Sequence, residues 1–280
     1  MTSLPYPSQP LISPRQTLPT MYDLPSENPN EPGLPDEFHF FQPLLLLLTF
    51  APANSNPELV FSACDLNLYY DLNHPGWYKR PDWFGVVGVP RLYESKDLRL
   101  SYVIWQEQVS PFVVVELLSP GTEDEDHGQT VSAPGKPPTK WQVYEQILRV
   151  PYYVIFSRFL MQSLMGETPK TALHRYTNEL QGFHLVGDHY KPAVLNQGRL
   201  LMPELELSLG LWHGSFRDIP RLWLRWMTLE GNLIPLASEE LVQAQLEAIE
   251  AKLEAIEAKQ RAERLAARLR ELGINPDQLD

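Results

Sequence analysis

Two acidic residues occupy positions at which a carboxylate is unusual. Asp82 begins the apolar segment 83–87, WFGVV, and Glu116 lies inside 112–118, FVVVELL, the most hydrophobic segment of the chain. A carboxylate there costs several kcal/mol to bury unless it is paired or bound to a cation. If the two segments are neighbouring strands, as consecutive strands often are, both carboxylates can converge on one divalent ion. A turn position for Asp82 and a buried ion pair for Glu116 remain the alternatives.

The elements that would position these acids alternate between strand and helix patterns. Phe112 to Val115 is apolar on both faces, which indicates a central strand. Thr139 and Gln142 form a capping-box pattern that begins a helix, and Pro151 follows its end. Residues 42–50 are compatible with another helix, although their unbroken run of leucines does not establish the period. Strands are predicted at 59–70, 83–89, 102–105, 112–118, 152–156, 179–185, 205–212 and 222–227; the first of these is either continuous or interrupted. These patterns predict an α/β or α+β fold, in which a mixed sheet is flanked by helices.

Composition divides the chain into three predicted parts. Residues 1–36 are rich in proline and poor in clustered apolar side chains, which is typical of a flexible or surface-wrapping arm. Residues 37–236 contain all the tryptophans and form the predicted globular domain. Residues 237–280 are dominated by Ala, Glu, Leu, Lys and Arg, and they predict a long amphipathic, coiled-coil-like helix.

The predicted C-terminal helix contains the heptad LEAIEAK twice in tandem, at 246–252 and 253–259. Its inward positions would be Leu246, Ile249, Leu253 and Ile256, while Gln260 and Glu263 interrupt the pattern downstream. Ser238 suits an N-cap, and Gly273 with Pro276 suits the end of the helix. Packing on its own domain is one interpretation. We favour self-association of two chains, because a short apolar row of this kind more often pairs between helices.

Charge and motif content exclude several functional classes. The 280 residues have a formal net charge of −12, which argues against a protein that coats nucleic acid through charge alone. A metal-dependent nuclease is still allowed, because its site needs carboxylates and takes its positive charge from the cation. The single cysteine, Cys64, excludes an internal disulfide framework. No apolar run is long enough to cross a membrane, and we expect a cytoplasmic protein.

One ordered series of segments resembles a known family. It consists of Pro81-Asp82, the strand that ends in ELLSPGT at 116–122, the segment from Lys140 to Tyr144, and VPYY at 150–153. This series is similar to that of the Uma-type restriction endonuclease family, a branch of the PD-(D/E)XK nuclease superfamily. The resemblance extends over roughly residues 37 to 226.

The resemblance implies a four-stranded mixed sheet flanked by helices, DNA as the substrate and Mg²⁺ as the cofactor, with Mn²⁺ as a substitute. By position it makes Asp82 and Glu116 metal ligands, together with the backbone carbonyl of Leu117. Lys140 would stabilise the attacking water and the charge that grows on the phosphate. Asp65 and Tyr144 would support the site.

Some features of the sequence depart from this pattern. The superfamily lysine stands two residues after the second acid, where this chain has Leu118, so its role would pass to Lys140. The acidic run 123–126 is interpreted as a solvated loop, because runs of charge usually lie exposed. Contacts with DNA would come from basic residues near Asp82: Lys79, Arg80, Arg91, Lys96 and Arg99. The alternative function is a catalytically degenerate nuclease fold that binds nucleic acid or assembles through its C-terminal helix.

Overall fold

The structure is a computed structural model that describes residues 34, 36–118, 123–133, 135–160 and 176–272. At 123, 124, 158–160 and 176–179 it describes the backbone only. The chain divides into two compact units, Met1–Leu233 and Ile234–Asp280. Most of the predicted proline-rich arm, 1–36, and the predicted end of the C-terminal helix after residue 272 lie outside the described residues.

The described part of the first unit consists mainly of strands, with a few helices among them. In chain order they are α1 (Phe38–Thr49), β1 (Val60–Cys64), β2 (Leu68–Tyr69), β3 (Tyr78–Lys79), β4 (Trp83–Val87), β5 (Tyr102–Val103), α2 (Ile104–Glu107), β6 (Val113–Leu118), α3 (Glu123–Asp126), α4 (Lys140–Gln142), β7 (Tyr152–Leu160), β8 (Tyr176–Val186), β9 (His189–Pro192), β10 (Arg199–Met202), β11 (Leu207–Phe216) and β12 (Ile219–Thr228). A π-helical turn, Val143–Ile147, continues α4, and 3-10 turns lie at Pro57–Leu59 and Pro203–Leu205.

A six-stranded mixed sheet forms the centre of this unit. Its strand order is β1-β4-β6-β7-β8-β9. β4 pairs antiparallel with β1 and β6, whereas β6 and β7 are parallel. Every residue of β6 is buried, as its two apolar faces predict. The predicted mixed sheet with flanking helices is therefore confirmed, although this sheet has six strands where the resemblance implies four.

Helix α1 is anchored to a second sheet by a buried side chain. This sheet has the order β10-β11-β12. The Gln42 side chain donates to the carbonyl of Leu224 at 2.7 Å and accepts from its N–H at 2.9 Å, which satisfies both backbone groups of one β12 residue. Phe50, which follows α1, packs against Trp83 and Trp226. The apolar segment predicted as a helix at 42–50 is thus confirmed, and the helix begins four residues earlier, at Phe38.

Two local predictions are wrong at their boundaries, and a third is refined. The strand predicted at 59–70 is interrupted, as its sequence allowed: it consists of β1 and β2, which belong to different sheets, and Asp65 between them has a φ of 49°. The predicted strand 102–105 ends at Val103 and continues as α2. Ser238 is not the N-cap of the C-terminal helix, which begins at Ala237.

The second unit consists of the long helix α5 (Ala237–Glu271). The N–H of Leu236 is satisfied by the Glu239 carboxylate at 2.8 Å, so a glutamate in the first turn takes part in capping. None of the helices within the described residues combines the length and apolar composition that a membrane span requires.

Candidate active site

Strand pairing brings the two predicted acids to one edge of the main sheet. Trp83 of β4 stands opposite Val115 of β6, and the antiparallel register continued by one residue places Asp82 opposite Glu116. Directly opposed residues of an antiparallel pair project to the same face of the sheet. The prediction that their strands are neighbours is confirmed. The register explains how residues 34 positions apart reach one place.

A single peptide group connects the two acids. The N–H of Leu117 donates to Asp82 Oδ2 at 2.6 Å, a short bond to a carboxylate. This bond fixes the half-buried Asp82 side chain against β6, directly after Glu116. The carbonyl of the same residue, the predicted backbone ligand, faces His39 Nε2 at 3.4 Å.

His39 is a residue of the site that the sequence reasoning missed. It lies in the first turn of α1 and is buried. Its Nδ1 is 2.8 Å from Asp36 Oδ1, which also accepts the backbone N–H of His39 at 3.0 Å. Burial lowers the pKa of His39, but the hydrogen bond with Asp36 and the charge of Asp82 outweigh it, so the pKa is raised. A polar residue inside an otherwise apolar helix was the available signal.

Both oxygens of Glu116 have partners in α4 and in the π-helical turn that continues it. The side chain is almost fully buried. Its Oε2 lies 3.1 Å from Lys140 Nζ, and its Oε1 accepts from the Tyr144 hydroxyl at 2.8 Å. Glu116, Lys140 and Tyr144, predicted for one site, are thus brought together.

The start of α4 determines where Lys140 points. Thr139 and Gln142 form the predicted capping box, which is confirmed. The backbone N–H of Lys140 donates to Glu125 Oε1 at 3.0 Å, so a carboxylate lies at the helix N-terminus. Gly128 adopts a φ of +69°, and a Cβ there would come within 2.7 Å of the Trp141 ring. A residue without a Cβ is therefore required where α3 meets α4.

Asp126 is a third acid of the site, and the interpretation of 123–126 as a solvated loop is wrong for it. The segment is helix α3, and the Asp126 side chain is fully buried. Its Oδ1 lies 2.8 Å from Lys140 Nζ, yet neither carboxylate oxygen has an aligned hydrogen-bond partner among the described residues. Its backbone carbonyl accepts from the Tyr153 hydroxyl at 3.0 Å. Asp126 is buried because the Lys140 ammonium group compensates its charge, which the composition of the run does not reveal.

Burial dominates the electrostatics of the carboxylates. It raises the pKa of Glu116 to about 8, against the opposing charge of Lys140. Burial also raises the pKa of Asp82, which the charges of His39 and Lys140 offset only in part. Burial would lower the pKa of Lys140, but the charges of Glu116 and Asp126 raise it instead. The site contains more carboxylates than cationic groups, so a further cation would reduce the repulsion between the carboxylates.

Two other sets of residues lie elsewhere than expected. The carboxylate of Asp65 is about half exposed and lies 3.8 Å from Arg80 Nε. The backbone N–H of Asp65 lies 3.2 Å from the Asp82 carbonyl, so its contact with the site is through the main chain. Arg99 is not an available DNA contact, because its side chain is 2% exposed and paired with Glu107 at 2.7 Å. Lys79 pairs with Glu125 at 2.9 Å. Arg91 and Lys96 are exposed.

The donor set fits a hard divalent cation. Within the part of the chain that the structure describes, no three His, Cys, Asp or Glu side chains form a group with metal-binding spacing. Mg²⁺, however, is commonly held by one or two carboxylates, with waters and substrate phosphates as its other ligands. Asp82, Glu116 and the Leu117 carbonyl supply oxygen donors of this kind, and the buried carboxylate of Asp126, which is paired with Lys140, adds negative charge.

A comparison with protein families identifies the family to which this chain belongs. The family model Uma2, described as "Putative restriction endonuclease", matches residues 17–220. The chain belongs to the Uma2 family. The match includes every residue of the candidate active site and ends before α5. No curated protein and no solved structure matches the chain. Membership of the Uma2 family indicates a restriction-endonuclease-like nuclease whose substrate is nucleic acid.

Proposed function

We propose that this Uma2 protein is a Mg²⁺-dependent endonuclease that hydrolyses DNA phosphodiester bonds with a metal-activated water. One observation carries the proposal: Lys140 Nζ lies 3.1 Å from Glu116 Oε2, on the sheet edge where Asp82 stands opposite Glu116. Two carboxylates and an ammonium group at one point are the parts that metal-assisted phosphodiester hydrolysis requires.

Each residue has a distinct part in the proposed reaction. Asp82, Glu116 and the Leu117 carbonyl would hold Mg²⁺, or Mn²⁺ in its place. When bound, the cation supplies a water of lowered pKa and neutralises charge on the phosphate. Lys140 would turn from Glu116 towards the phosphate and stabilise the negative charge that develops there. Tyr144 fixes the orientation of Glu116 through its 2.8 Å hydrogen bond, and Asp65 would support Asp82 through the backbone.

Among the nucleic acids, we propose DNA as the substrate. The exposed side chains of Arg91 and Lys96, and the partly exposed Arg80, are the basic groups near Asp82 in sequence that are available to phosphates. A cytoplasmic location goes with this proposal, because the enzyme would act where its substrate lies.

A plasmid-nicking assay tests the proposal. Purified full-length protein is incubated with supercoiled DNA in Mg²⁺ or Mn²⁺, and Asp82→Asn, Glu116→Gln and Asp126→Asn are compared with it. We expect the first two substitutions to lower cleavage at least about 100-fold, because each removes a charged ligand. Asp126→Asn should raise the Mg²⁺ concentration needed for half-maximal cleavage about tenfold, because it removes charge near the metal.

The matched control is Glu145→Gln. Glu145 is also buried, and its Oε1 accepts from the Tyr190 N–H at 2.7 Å, away from the acidic cluster. It reproduces the chemical change of Glu116→Gln without touching the site, so its cleavage should match the wild type. If the wild type does not cleave DNA with either cation, the nuclease proposal fails.

A degenerate nuclease fold that binds nucleic acid is the second candidate. The pairing of Lys140 with both Glu116 and Asp126 favours it, because this ammonium already neutralises the carboxylates without a metal. Leu118 at the usual lysine position points in the same direction. DNA binding without cleavage, unchanged by Glu116→Gln, would support this function and contradict the first.

Self-association through α5 completes the proposal. The helix has no buried residue, and its apolar positions lie exposed. Exposed apolar rows of this kind typically mark a protein interface.

A further inference from the structure

Helix α5 carries a continuous row of exposed apolar side chains. Val242, Leu246, Ile249, Leu253 and Ile256 are each 52–58% exposed. Their spacing of three and four residues places them on one side of the helix. Gln260 and Glu263 end the row, so from Val242 to Ile256 it spans about two heptads.

The order of branched residues in this row restricts the number of chains. A spacing of three from Leu246 to Ile249 and of four to Leu253 assigns leucine to the a positions and isoleucine to the d positions. Two-stranded parallel coiled coils prefer the reverse, with β-branched residues at a and leucine at d. Leucine at a with isoleucine at d favours larger bundles. In a four-stranded bundle the a layer packs as the d layer does in a two-stranded one, and the d layer packs as the a layer does. Leucine at a with isoleucine at d therefore favours four chains.

The charged residues beside the row determine the orientation. Lys252 occupies a g position, and Glu250 and Glu257 occupy e positions. In a parallel bundle, Lys252 of one chain meets Glu257 of its neighbour, an attractive pair. An antiparallel arrangement would place e against e and g against g, so that glutamate faces glutamate and lysine faces lysine. The charges are therefore complementary only between parallel copies of this sequence.

We propose that α5 joins four copies of this chain in a parallel four-stranded coiled coil. The inference rests on the proposed self-association and is independent of the nuclease activity. Its seam extends from Val242 to Ile256, and the Lys252–Glu257 pairs lie along both sides of it.

Sedimentation equilibrium of the full-length protein measures the number of chains. We expect the mass of four chains. The matched variant exchanges the row without changing its composition: Leu246→Ile, Ile249→Leu, Leu253→Ile and Ile256→Leu. It retains the apolar surface but reverses the a and d preference, so its mass should fall to two chains. The double variant Ile249→Glu with Leu253→Glu should have the mass of one chain.

The sedimentation masses distinguish failure of the four-stranded bundle from failure of self-association through α5. A one-chain mass for the wild type at all concentrations would overturn both the four-stranded bundle and self-association through α5. A two-chain or three-chain mass would overturn the four-stranded bundle and leave self-association intact. Neither result depends on whether the protein cleaves DNA.

Orientation is tested by a disulfide within the bundle. In a Cys64→Ser background, Val242→Cys places one thiol at a d position of each helix. Parallel copies bring these thiols together, and mild oxidation should cross-link the chains. In antiparallel copies Val242 of one helix stands opposite Ile256 of its neighbour, so the thiols lie about 21 Å apart along the axis, from 14 residues at about 1.5 Å each, too far for a disulfide. Absence of the cross-link in an associated protein would overturn the parallel orientation.

Discussion

The candidate active site and the C-terminal helix depart from ordinary protein structure in opposite ways. At the site, charged side chains are buried: Glu116 and Asp126 are at most 1% exposed. On α5, large apolar side chains are exposed, and none of its residues is buried. Buried charge and exposed apolar surface both cost free energy, so each needs a partner to compensate it. The first unit supplies part of this compensation through Lys140, whereas for α5 we propose that further copies of the chain supply it.

The largest expected effect comes from removing the ammonium group. Lys140→Met leaves Glu116 and Asp126 without their shared cation, so the free energy of unfolding should fall by about 3–5 kcal/mol in EDTA. Mg²⁺ should restore more stability to this variant than to the wild type, because the carboxylates are then free to bind it. Urea unfolding with and without Mg²⁺ measures both effects. Lys191→Met, at an exposed position, is the control; equal stability of the two variants would contradict the ion-pair account.

The same substitution in the two regions sharpens the contrast. Leu46→Ala in α1 removes a fully buried side chain and should destabilise the first unit by about 2–5 kcal/mol. Leu253→Ala in α5 removes a side chain that is 58% exposed and lies outside the first unit, so it should change the unfolding of the first unit by less than about 0.5 kcal/mol. Its effect should fall on the sedimentation mass instead. Tryptophan fluorescence follows the first unit, because every tryptophan lies between Trp77 and Trp226.

The buried acid should make stability depend on pH. The pKa of Glu116 is raised from its ordinary 4.5 to about 8, so the folded state holds a proton that the unfolded state releases. The contribution is therefore fully present below pH 4.5 and is lost as the pH rises to about 8. Between pH 5 and 8 in EDTA, we expect the free energy of unfolding to fall by an amount on the order of 2 kcal/mol.

Glu116→Gln separates this titration from that of other groups. Glutamine has no proton to release, so urea unfolding of the variant should depend less on pH over the same interval. A wild type and a variant with parallel pH profiles would contradict a raised pKa at Glu116.

The smallest expected effect concerns His39. His39→Gln removes the ring that faces the Leu117 carbonyl at 3.4 Å and should lower cleavage about tenfold, as substitutions around metal ligands commonly do. The Mg²⁺ concentration for half-maximal cleavage should rise, which a purely structural role would not predict. Asp36→Asn, which weakens the hold on the ring, should have a smaller effect in the same direction. An unchanged Mg²⁺ requirement in both variants would exclude His39 from the site.

Residues embedded in regular patterns could be predicted from the sequence. Glu116 interrupts a run of apolar residues, and Asp82 precedes the neighbouring strand, so simple pairing brings them together. The capping box of Thr139 and Gln142 is local, and it appears in the structure as expected. Lys140 depended on the family resemblance, since no periodic pattern distinguishes it from a surface lysine.

The remaining residues depend on contacts that the sequence does not encode locally. Asp126 looks like any member of an acidic run, and only its position beside Lys140 Nζ explains its burial. Arg99 looks like a surface cation, yet it is enclosed by Glu107 and lies over the Phe61 ring at 4.4 Å. In both cases an ion pair with a residue 8 or 14 positions away decides the burial of the charge, and no local pattern marks that partner. Composition alone therefore gives the wrong environment.

The main chain of Leu117 has a consequence for how this protein tolerates change. Its N–H holds Asp82 and its carbonyl faces His39, so main-chain atoms perform both tasks. The side chain at this position is thereby free to follow the needs of the core, and alanine or valine would leave both tasks intact. Only proline lacks the hydrogen that Asp82 accepts. Alanine scanning would therefore not reveal the hydrogen bond from the Leu117 N–H to Asp82, which connects the two acids of the candidate site.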